Sequence, residues 1–410
     1  TTYSANDYEY ILNDCKPSLI FVSNQNQFDK IKKFIRSDVK IISFEEINTD
    51  SLLIKEILNE EVNEKIVNKD LKRNMPACII YTSGTSGNPK GVVLSHGGIL
   101  SNCEGAVELL EVLTKKKDPV FLTWLPLSHS YEHTVQFVQI IVGAKVFYAE
   151  SLEKLISNMG VAKPTIMTAV PRFYQNLFTK INMNFEKQSG LKRKLINQTL
   201  DLGIKILKKE ELKFGEKITN FLCEKLVRKK IRNQFGGNLQ AFVSGGGALD
   251  QNIGEFLNAV GLPTLQGYGL TEASPVVSCN LPDLVKVETV GHPFRTNKVK
   301  IAEDGEILVK GENVMLGYWN KKSETDQVLI DGWLHTGDIG KFVNGYLKIT
   351  DRKKDILITP GGDNISPVKV ETALTNSSFI DQSLVYGLSL IHISEPTRPR
   401  LISYAVFCLK

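Results

Sequence analysis

Short apolar runs alternate with segments of helical periodicity through the first two thirds of the chain. Residues 28–35, for example, have helix-like spacing and lie between two apolar runs. The alternation predicts a layered α/β fold with a largely parallel sheet. The runs that predict buried strands lie at Leu19–Val22, 41–42, 77–81, 119–122, Lys145–Tyr148, 164–167 and 239–243.

The pattern changes twice further along. Residues 170–236 have long helical periodicity with scattered lysines, and the strongest part of this segment covers about 176–235. After about residue 285, short apolar runs at 299–301, 306–310 and 346–349 are broken by Asp304-Gly305 and Asn344-Gly345. Such dipeptides favour tight hairpin turns, so a small antiparallel β subdomain is predicted over about 285–350.

Positive charge is concentrated in the helical segment. Residues 180–232 contain fifteen Lys and Arg against six Asp and Glu, an excess larger than the net charge of +5 of all 410 residues. A basic amphipathic face of this kind either contacts anionic lipid headgroups or is simply solvated, and the sequence leaves both open. The six cysteines form no CxxC pair, which argues against a zinc site or a disulfide framework and fits a reducing, cytoplasmic compartment.

The most informative chemical run is YTSGTSGNPKG at residues 81–91, between two strand-like segments. Its hydroxyls and glycine N–H groups are donors for phosphate oxygens, and its lysine adds a positive charge. No Gly-Lys-Ser/Thr follows, so this is not a Walker A loop. A flexible surface turn would not account for the proline and lysine at fixed positions. The predicted phosphate-holding residues are Thr82, Ser83, Gly84, Thr85, Ser86 and Lys90.

Two further segments contain candidate binding groups. In residues 124–132, His129 and Tyr131 follow a proline-set turn and are candidates for an acyl pocket, although an isolated histidine is more often structural. Gly245, Gly246 and Gly247 follow an apolar strand, where bare backbone would let a flat adenine ring lie close. A triple glycine alone is weak evidence, because many are plain strand-to-helix turns.

Residues 266–272 and 332–355 add the charged groups. Tyr268 offers an aromatic face, Thr271 a hydroxyl for a phosphate, and Glu272 a carboxylate for Mg²⁺, which prefers one or two carboxylates plus phosphate oxygens. Asp338 can accept from both ribose hydroxyls. The planar donor fork of Arg352 suits ribose and phosphate oxygens.

Taken in order, the five segments resemble the acyl-adenylate-forming (AMP-binding) superfamily. The basic helical stretch between 170–174 and 235–239 is similar to that of bacterial-type long-chain fatty-acid–CoA ligases. The resemblance implies a large domain over 1–350, with layered α/β subdomains and a small antiparallel β-barrel subdomain. It also implies a hinge and the start of a truncated C-terminal α+β domain over 351–387, with Lys354 as the pivot.

The resemblance also implies a two-step reaction that uses ATP, Mg²⁺ and coenzyme A. A fatty carboxylate attacks the α-phosphorus of ATP to give acyl-adenylate and pyrophosphate, and the coenzyme A thiolate then displaces AMP. Catalytic roles fall on Thr82, Lys90, Glu272 and Arg352, with Glu272 on the metal. The acyl pocket takes His129, Tyr131 and Gly246. Nucleotide contacts beyond the phosphate loop are implied for Gly245, Gly246, Gly247, Gln266, Gly267, Tyr268, Gly269, Thr271, Asp338 and Arg352.

The resemblance stops near residue 387. Residues 388–410 resemble a translated sequencing adapter and are interpreted as a non-native tail, so the family's C-terminal catalytic lysine has no counterpart here. The first residue is Thr, and we expect a fragment that lacks both ends and has weak turnover. An adenylation domain for another carboxylic or amino acid, and a nucleotide-binding fragment without turnover, remain alternatives. No nucleic-acid partner is expected.

Overall fold

The computed structural model describes residues 3–60, 70–82, 88–114, 118–282, 284–353 and short pieces beyond, at 357–358, 364–365, 370–371, 374, 380–386 and 404–409. The chain divides into two compact units. The first contains Thr1–Gly98 and Met315–Gln327, and the second contains Ile99–Val314 and Val328–Lys410.

The first unit contains two three-stranded sheets. One is parallel, in the order β1-β2-β3, and the other is antiparallel, in the order β15-β5-β4. Ser4 begins the first helix with a capping box that it shares with Asp7, and Asn24 caps the second. The strands are β1 Leu19–Val22, β2 Lys40–Ser43, β3 Leu52–Leu53, β4 Pro76–Thr82, β5 Lys90–Ser95 and β15 Gly317–Tyr318, and the helices are α1 Ala5–Cys15, α2 Gln25–Ile31, α3 Ile54–Asn59 and α12 Lys322–Val328.

The second unit is built on a seven-stranded sheet in the order β12-β11-β10-β9-β8-β6-β7. The five strands from β10 to β7 are parallel, while β11 and β12 add antiparallel at one edge. The strands are β6 Val120–Thr123, β7 Lys145–Tyr148, β8 Ile166–Ala169, β9 Ala241–Ser244, β10 Thr264–Gly269, β11 Val276–Cys279 and β12 His292–Pro293, with helices α4 His96–Thr114, α5 Ser130–Ile141, α6 Leu155–Ala162 and α11 Gln251–Ala259.

Strand β8 begins two residues later than the predicted run at 164–167. Pro164 has no N–H to give to a strand ladder. At Thr165 the backbone N–H donates to the Val120 oxygen at 2.9 Å, and the hydroxyl donates to the same oxygen at 3.2 Å and accepts from the Val120 nitrogen at 2.9 Å. The strand itself starts at Ile166.

The predicted helical segment is helical throughout most of its length. It comprises α7 Pro171–Glu186, α8 Gly190–Leu207, α9 Phe214–Cys223, a π-helical turn at Glu224–Arg228 and α10 Lys229–Gln234. Pro171 occupies the first turn of α7, where its missing N–H costs no hydrogen bond. Apolar side chains of α7, α8, the π-helical turn and α10 join the main core of the unit around Tyr174, Phe242 and Leu257. Across the described residues, no helix combines the length and the apolar character needed to cross a membrane.

A five-stranded antiparallel sheet forms the predicted β region. Its order is β13-β14-β17-β16, with β18 paired to the other part of β17. Asn344 and Gly345 both have positive φ, 51° and 81°, as a type I′ hairpin turn requires. The strands are β13 Asn297–Ile301, β14 Glu306–Gly311, β16 Leu329–Ile330, β17 Trp333–Val343 and β18 Tyr346–Arg352. The predicted α/β class with a separate antiparallel sheet is confirmed.

Two short strand pairs follow. β19 Leu357–Ile358 pairs with β20 Asn364–Ile365, and β21 Ile380–Tyr386 pairs antiparallel with β22 Tyr404–Leu409. The last strand falls within residues 388–410, which the sequence interpretation assigned to a non-native tail. That interpretation stays a prediction. The predicted pivot Lys354 lies outside the described residues.

Candidate active site

Tyr268, Asp338 and Arg352 meet although they are far apart in the chain. Tyr268 is near the end of β10, and its hydroxyl donates to Asp338 Oδ2 at 2.6 Å. Arg352 Nε donates to Asp338 Oδ1 at 3.2 Å. Burial, followed by the charge of Asp338, raises the pKa of Tyr268 well above its usual value, so the phenol stays protonated and remains a donor.

A β-bulge sets the register that brings Arg352 opposite Asp338. From the Asn344-Gly345 turn, β17 and β18 pair regularly until Gly340 faces Ile349. The register then shifts, so that Ile339 faces Asp351 and Asp338 faces Arg352. If the regular pairing continued with no shift, Asp338 would face Asp351. The Thr350 hydroxyl donates to the Ile339 carbonyl at 3.3 Å and holds the bulge.

A buried carboxylate supports this segment from β14. Glu306 is 5% exposed, and it accepts from the backbone N–H of Gly337 at 2.8 Å, from Lys353 Nζ at 3.1 Å and from the His335 ring at 3.2 Å. Burial raises the pKa of Glu306, but these three hydrogen bonds outweigh it, and the net pKa is below the usual value. Sequence reasoning missed Glu306. The signal was a carboxylate placed directly after a turn, at the first position of an apolar strand.

Lys353 joins Glu306 to the β13–β14 turn. Its Nζ lies 2.7 Å from Asp304 Oδ2 as well as 3.1 Å from Glu306 Oε2. Lys353 directly follows Arg352 and directly precedes the predicted pivot. The end of β18 is therefore fixed to two carboxylates of the same sheet.

The turn after β10 contains Thr271 and Glu272. The hydroxyls of Thr271 and Ser130 lie 3.1 Å apart, so helix α5 contacts the turn at its first residue. The Ala273 carbonyl accepts from the amides of Asn102, at 3.2 Å, and Asn313, at 3.1 Å. Contacts with Ser130, Asn102 and Asn313 therefore fix the turn. Glu272 lies on this turn and is partly exposed.

The oxygen groups of Glu272 and Thr271 suit a metal ion that takes most of its other ligands from substrate phosphates and water. Over the described parts of the chain, no group of three or more His, Cys, Asp and Glu side chains has the arrangement of a metal site. One carboxylate beside a threonine hydroxyl fits Mg²⁺, because Mg²⁺ retains waters and takes its other ligands from substrate phosphates.

The predicted acyl-pocket residues lie at the start of α5. His129 is the N-cap residue, and its Nδ1 accepts from the backbone N–H of Tyr131 at 3.2 Å. Burial lowers the pKa of His129, so its ring is neutral at pH 7. The Tyr131 hydroxyl donates to the Val243 carbonyl at 3.0 Å, at the end of the strand that leads to the triple glycine.

The triple glycine is in close contact with the Tyr131 ring. A Cβ on Gly245 would lie 2.9 Å from Tyr131 Cε1, a distance that side chains do not tolerate. Gly246 has φ +76°, in the left-handed region that favours glycine. At least part of this glycine run therefore serves packing against α5, a requirement that the sequence alone does not reveal.

The predicted phosphate-loop residues belong to the first unit. Thr82 ends β4 and faces Lys90, which begins β5. Residues Ser83, Gly84, Thr85 and Ser86 lie outside the described residues. Lys90 Nζ forms a salt bridge with Glu324 of α12 and lies 5.0 Å from the centre of the Tyr318 ring. The lysine of the predicted phosphate loop is thus held by a carboxylate.

Below this hairpin, Tyr81 contacts helix α1. Its hydroxyl donates to Asp14 Oδ2 at 2.6 Å, and burial followed by this bond raises the pKa of Tyr81. The Trp319 indole donates to the Asp14 carbonyl at 3.1 Å. These contacts fix the base of the hairpin.

Comparison with known proteins shows the family and agrees with the fold. A family model described as AMP-binding enzyme matches residues 1–319, so the chain belongs to the AMP-binding enzyme family. It is 33% identical over 319 residues to long-chain-fatty-acid–CoA ligase FadD15 of Mycobacterium bovis, covering 77% of this chain and 53% of that protein. It is 31% identical over 432 residues to human long-chain-fatty-acid–CoA ligase 1, covering 97% and 61%.

Solved structures share the fold. O-succinylbenzoate coenzyme A synthetase from Bacillus subtilis, solved with ATP and magnesium ion, matches with a TM-score of 0.69 at 22% identity, covering 94% of this chain and 70% of that chain. The same enzyme with AMP matches with a TM-score of 0.71 at 21% identity, covering 99% and 72%. The chain spans only 53% to 62% of the length of the first two curated relatives that it matches.

Proposed function

We propose that this chain is part of a long-chain fatty-acid–CoA ligase that forms AMP. The observation that carries the proposal is the convergence of Tyr268 and Arg352 on the carboxylate of Asp338. Similarity at 31–33% identity to long-chain-fatty-acid–CoA ligases supports the substrate class. The substrates are then a long-chain fatty acid, ATP and coenzyme A.

In this proposal, Asp338 binds the ribose of ATP. Tyr268 and Arg352 fix the orientation of this carboxylate, and a carboxylate can accept several hydrogen bonds, including those from ribose hydroxyls. Tyr268 then presents its ring to the adenine. The guanidinium of Arg352 is 56% exposed and uses Nε on Asp338, so its terminal nitrogens are available for ribose or phosphate oxygens.

Charge neutralisation is the main task, because a fatty carboxylate and a triphosphate repel each other. Glu272 would hold Mg²⁺, which screens the phosphate charges and orients them when it is bound. Thr271 would donate its hydroxyl to a phosphate. Lys90 and Thr82, together with the predicted loop residues, would bind the departing pyrophosphate, with Lys90 leaving Glu324 as it does so.

The acyl chain would lie beside His129, Tyr131 and Gly246. A neutral histidine suits an apolar chain better than a charged one, and the lowered pKa of His129 keeps it neutral. The carboxylate end would face the nucleotide, and attack at the α-phosphorus would follow from this placement rather than from a nucleophile on the protein.

We also propose that the protein is cytoplasmic and approaches an anionic membrane through residues 180–232. The exposed basic face of this segment is smaller than the count of fifteen Lys and Arg implies. Arg228 is buried and donates to the Ala259 carbonyl, the Thr199 carbonyl and Asn220 Oδ1. Arg232 pairs with Glu224. These two of the fifteen basic residues stabilise the helices and do not belong to an exposed face.

ATP–pyrophosphate exchange tests the proposal. Fatty acids of increasing length and a panel of amino acids are compared with the chain as given, alongside binding of a non-hydrolysable ATP analogue. Asp338→Asn should weaken analogue binding at least 10-fold, whereas Asp118→Asn, the same change at an exposed aspartate, should not. Exchange with amino acids alone would support a different adenylation domain. Analogue binding without exchange would support a nucleotide-binding fragment.

A further inference from the structure

Helix α9 presents apolar side chains to solvent instead of to the core. Phe214, Ile218, Phe221 and Leu222 recur at the spacing of one helix face, and Leu226 in the following π-helical turn extends the row. Their exposed fractions are 82%, 54%, 56%, 46% and 48%. These five residues are called the α9 stripe. A surface helix of a globular protein normally has the opposite arrangement.

The opposite face of the same helical segment is firmly packed. Cys223 and Val227 are buried. Glu216 forms a salt bridge with Lys205 of α8 at 2.6 Å, and Arg228 donates to backbone carbonyls from α8 and α11. The stripe is therefore held outward by a fixed helix, and is not the core face of a helix that has come loose.

Lysines surround the stripe, and the acidic groups of the helix are neutralised on the other side. Lys217, Lys225 and Lys229 are exposed, and none has a salt bridge to a described carboxylate. Lys225 lies over the Phe221 ring at 4.5 Å, so its charge sits directly on the stripe. Glu216 and Glu224 are paired with Lys205 and Arg232. The local surface is apolar with a positive border.

We propose that the α9 stripe is the element that inserts into an acidic phospholipid bilayer. An exposed apolar row bordered by lysines is complementary to the surface of such a bilayer. The apolar side chains would insert among the acyl chains, and the lysine ammonium groups would contact the anionic headgroups. Lysine stems extend along apolar surface while their charges remain in the headgroup layer. The inference deepens the membrane contact proposed above, by assigning it to one helix face, and is independent of the chemistry of the nucleotide site.

The charge pattern favours lipid over a second copy of this chain. Two copies that joined through their stripes would bring lysines against lysines, with no acidic partner among the described residues of the stripe. Like charges brought together in this way oppose association.

Vesicle flotation of the 410-residue chain tests the proposal. Vesicles of phosphatidylcholine with 30% phosphatidylglycerol are compared with pure phosphatidylcholine. Phe214→Ser with Phe221→Ser should weaken binding at least 30-fold. Lys217→Gln, Lys225→Gln and Lys229→Gln together should weaken it about 100-fold at low salt, at about five-fold for each lysine. Circular dichroism and thermal melting check that each variant folds.

Two matched controls separate the stripe from its surroundings. Ile140→Ser with Val161→Ser changes apolar side chains that are 74% and 77% exposed on α5 and α6, and should leave binding unchanged. Lys192→Gln, Lys194→Gln and Lys208→Gln together remove three other lysines of the basic region, and should weaken binding less than 10-fold.

Insertion has its own readout. Brominated acyl chains should quench the tryptophan fluorescence of the Phe214→Trp variant more strongly than that of the parent protein. Equal loss of binding in both lysine triples, with no effect of the phenylalanine pair, would overturn the stripe while leaving a diffuse electrostatic contact. Absence of flotation, or a dimer in sedimentation velocity that the phenylalanine pair abolishes, would overturn lipid as the partner. Acyl-CoA formation, assayed separately, reports on the enzyme.

Discussion

Replacing Glu306 by Gln perturbs the predicted nucleotide site without touching a residue assigned to the nucleotide. Glutamine keeps the volume and keeps one oxygen for the Gly337 N–H. It removes the charge that receives Lys353 and the His335 ring. Lys353 keeps its ion pair with Asp304 and is about half exposed. Losing its ion pair with Glu306 should therefore lower the free energy of unfolding only as much as losing a surface pair does, by about 0–1 kcal/mol.

The larger part of the expected destabilisation comes from the hydrogen bonds that the buried Glu306 carboxylate accepts from Gly337 and His335. Hydrogen bonds to a charged group contribute about 1.5–3 kcal/mol each. With the Gly337 bond weakened rather than lost and the His335 bond rearranged, we expect Glu306→Gln to lower the free energy of unfolding by about 2 kcal/mol. Urea denaturation measures this difference. Glu303→Gln, at an exposed glutamate three residues earlier, should stay within about 0.5 kcal/mol of the parent.

The pH dependence gives this prediction a sign. The folded pKa of Glu306 is below its usual 4.5, so the stabilisation is complete above pH 4.5 and is lost as the pH falls through the folded pKa. The stability gap between parent and variant should therefore be constant from pH 7 to about pH 5 and narrow below pH 4.5. If the stability difference between parent and variant stayed unchanged down to the folded pKa of Glu306, the carboxylate charge would not be its cause.

The same variant links the network to binding. Because the Gly337 N–H is anchored on Glu306 and Asp338 comes next in the chain, we expect an ATP analogue to bind about 3–10-fold more weakly. Unchanged affinity, together with lost stability, would reduce Glu306 to a purely structural residue.

Three further predictions concern other parts of the chain. Glu272→Gln should cost about 2–4 kcal/mol of transition-state stabilisation in Mg²⁺-dependent adenylation, and an unchanged rate would mean that this carboxylate is structural. Gly245→Ala should lower stability by about 1–3 kcal/mol because its methyl meets the Tyr131 ring, whereas Gly247→Ala has ordinary contact distances and should be tolerated in thermal melts. Removing residues 388–410 should leave nucleotide affinity unchanged, and a loss of adenylate formation would make that segment a functional element.

Local signals in the sequence predicted much of the fold. The Asn344-Gly345 turn and the apolar runs at 306–310 and 346–349 define strands that the structure contains. Proline at the start of α7 and capping by Asn24 act within a few residues of their own positions. Such features depend on backbone geometry that neighbouring residues determine.

Other parts of the site depend on contacts between distant segments. Tyr268 and Asp338 are 70 residues apart, and the partners of Glu306 lie 29 to 47 residues further along the chain. Nothing local distinguishes Glu306 from other strand-end carboxylates, or shows that Gly245 must receive the ring of Tyr131. Charge counting also treated Arg228 like the exposed lysines, because burial is a property of the assembled helices.

The bulge at Thr350 makes the hairpin sensitive to chain length in a way that depends on position. Thr350 is the residue that has no partner of its own on β17, so a chain that lacked it would continue the regular ladder and still bring Arg352 opposite Asp338. Loss of Asp351 with the bulge retained would instead bring Lys353 opposite Asp338 and draw it away from Glu306. In length variants of this hairpin, a deletion at 350 therefore removes the bulge and keeps Arg352 opposite Asp338, whereas a deletion at 351 keeps that pair only if the bulge is lost as well.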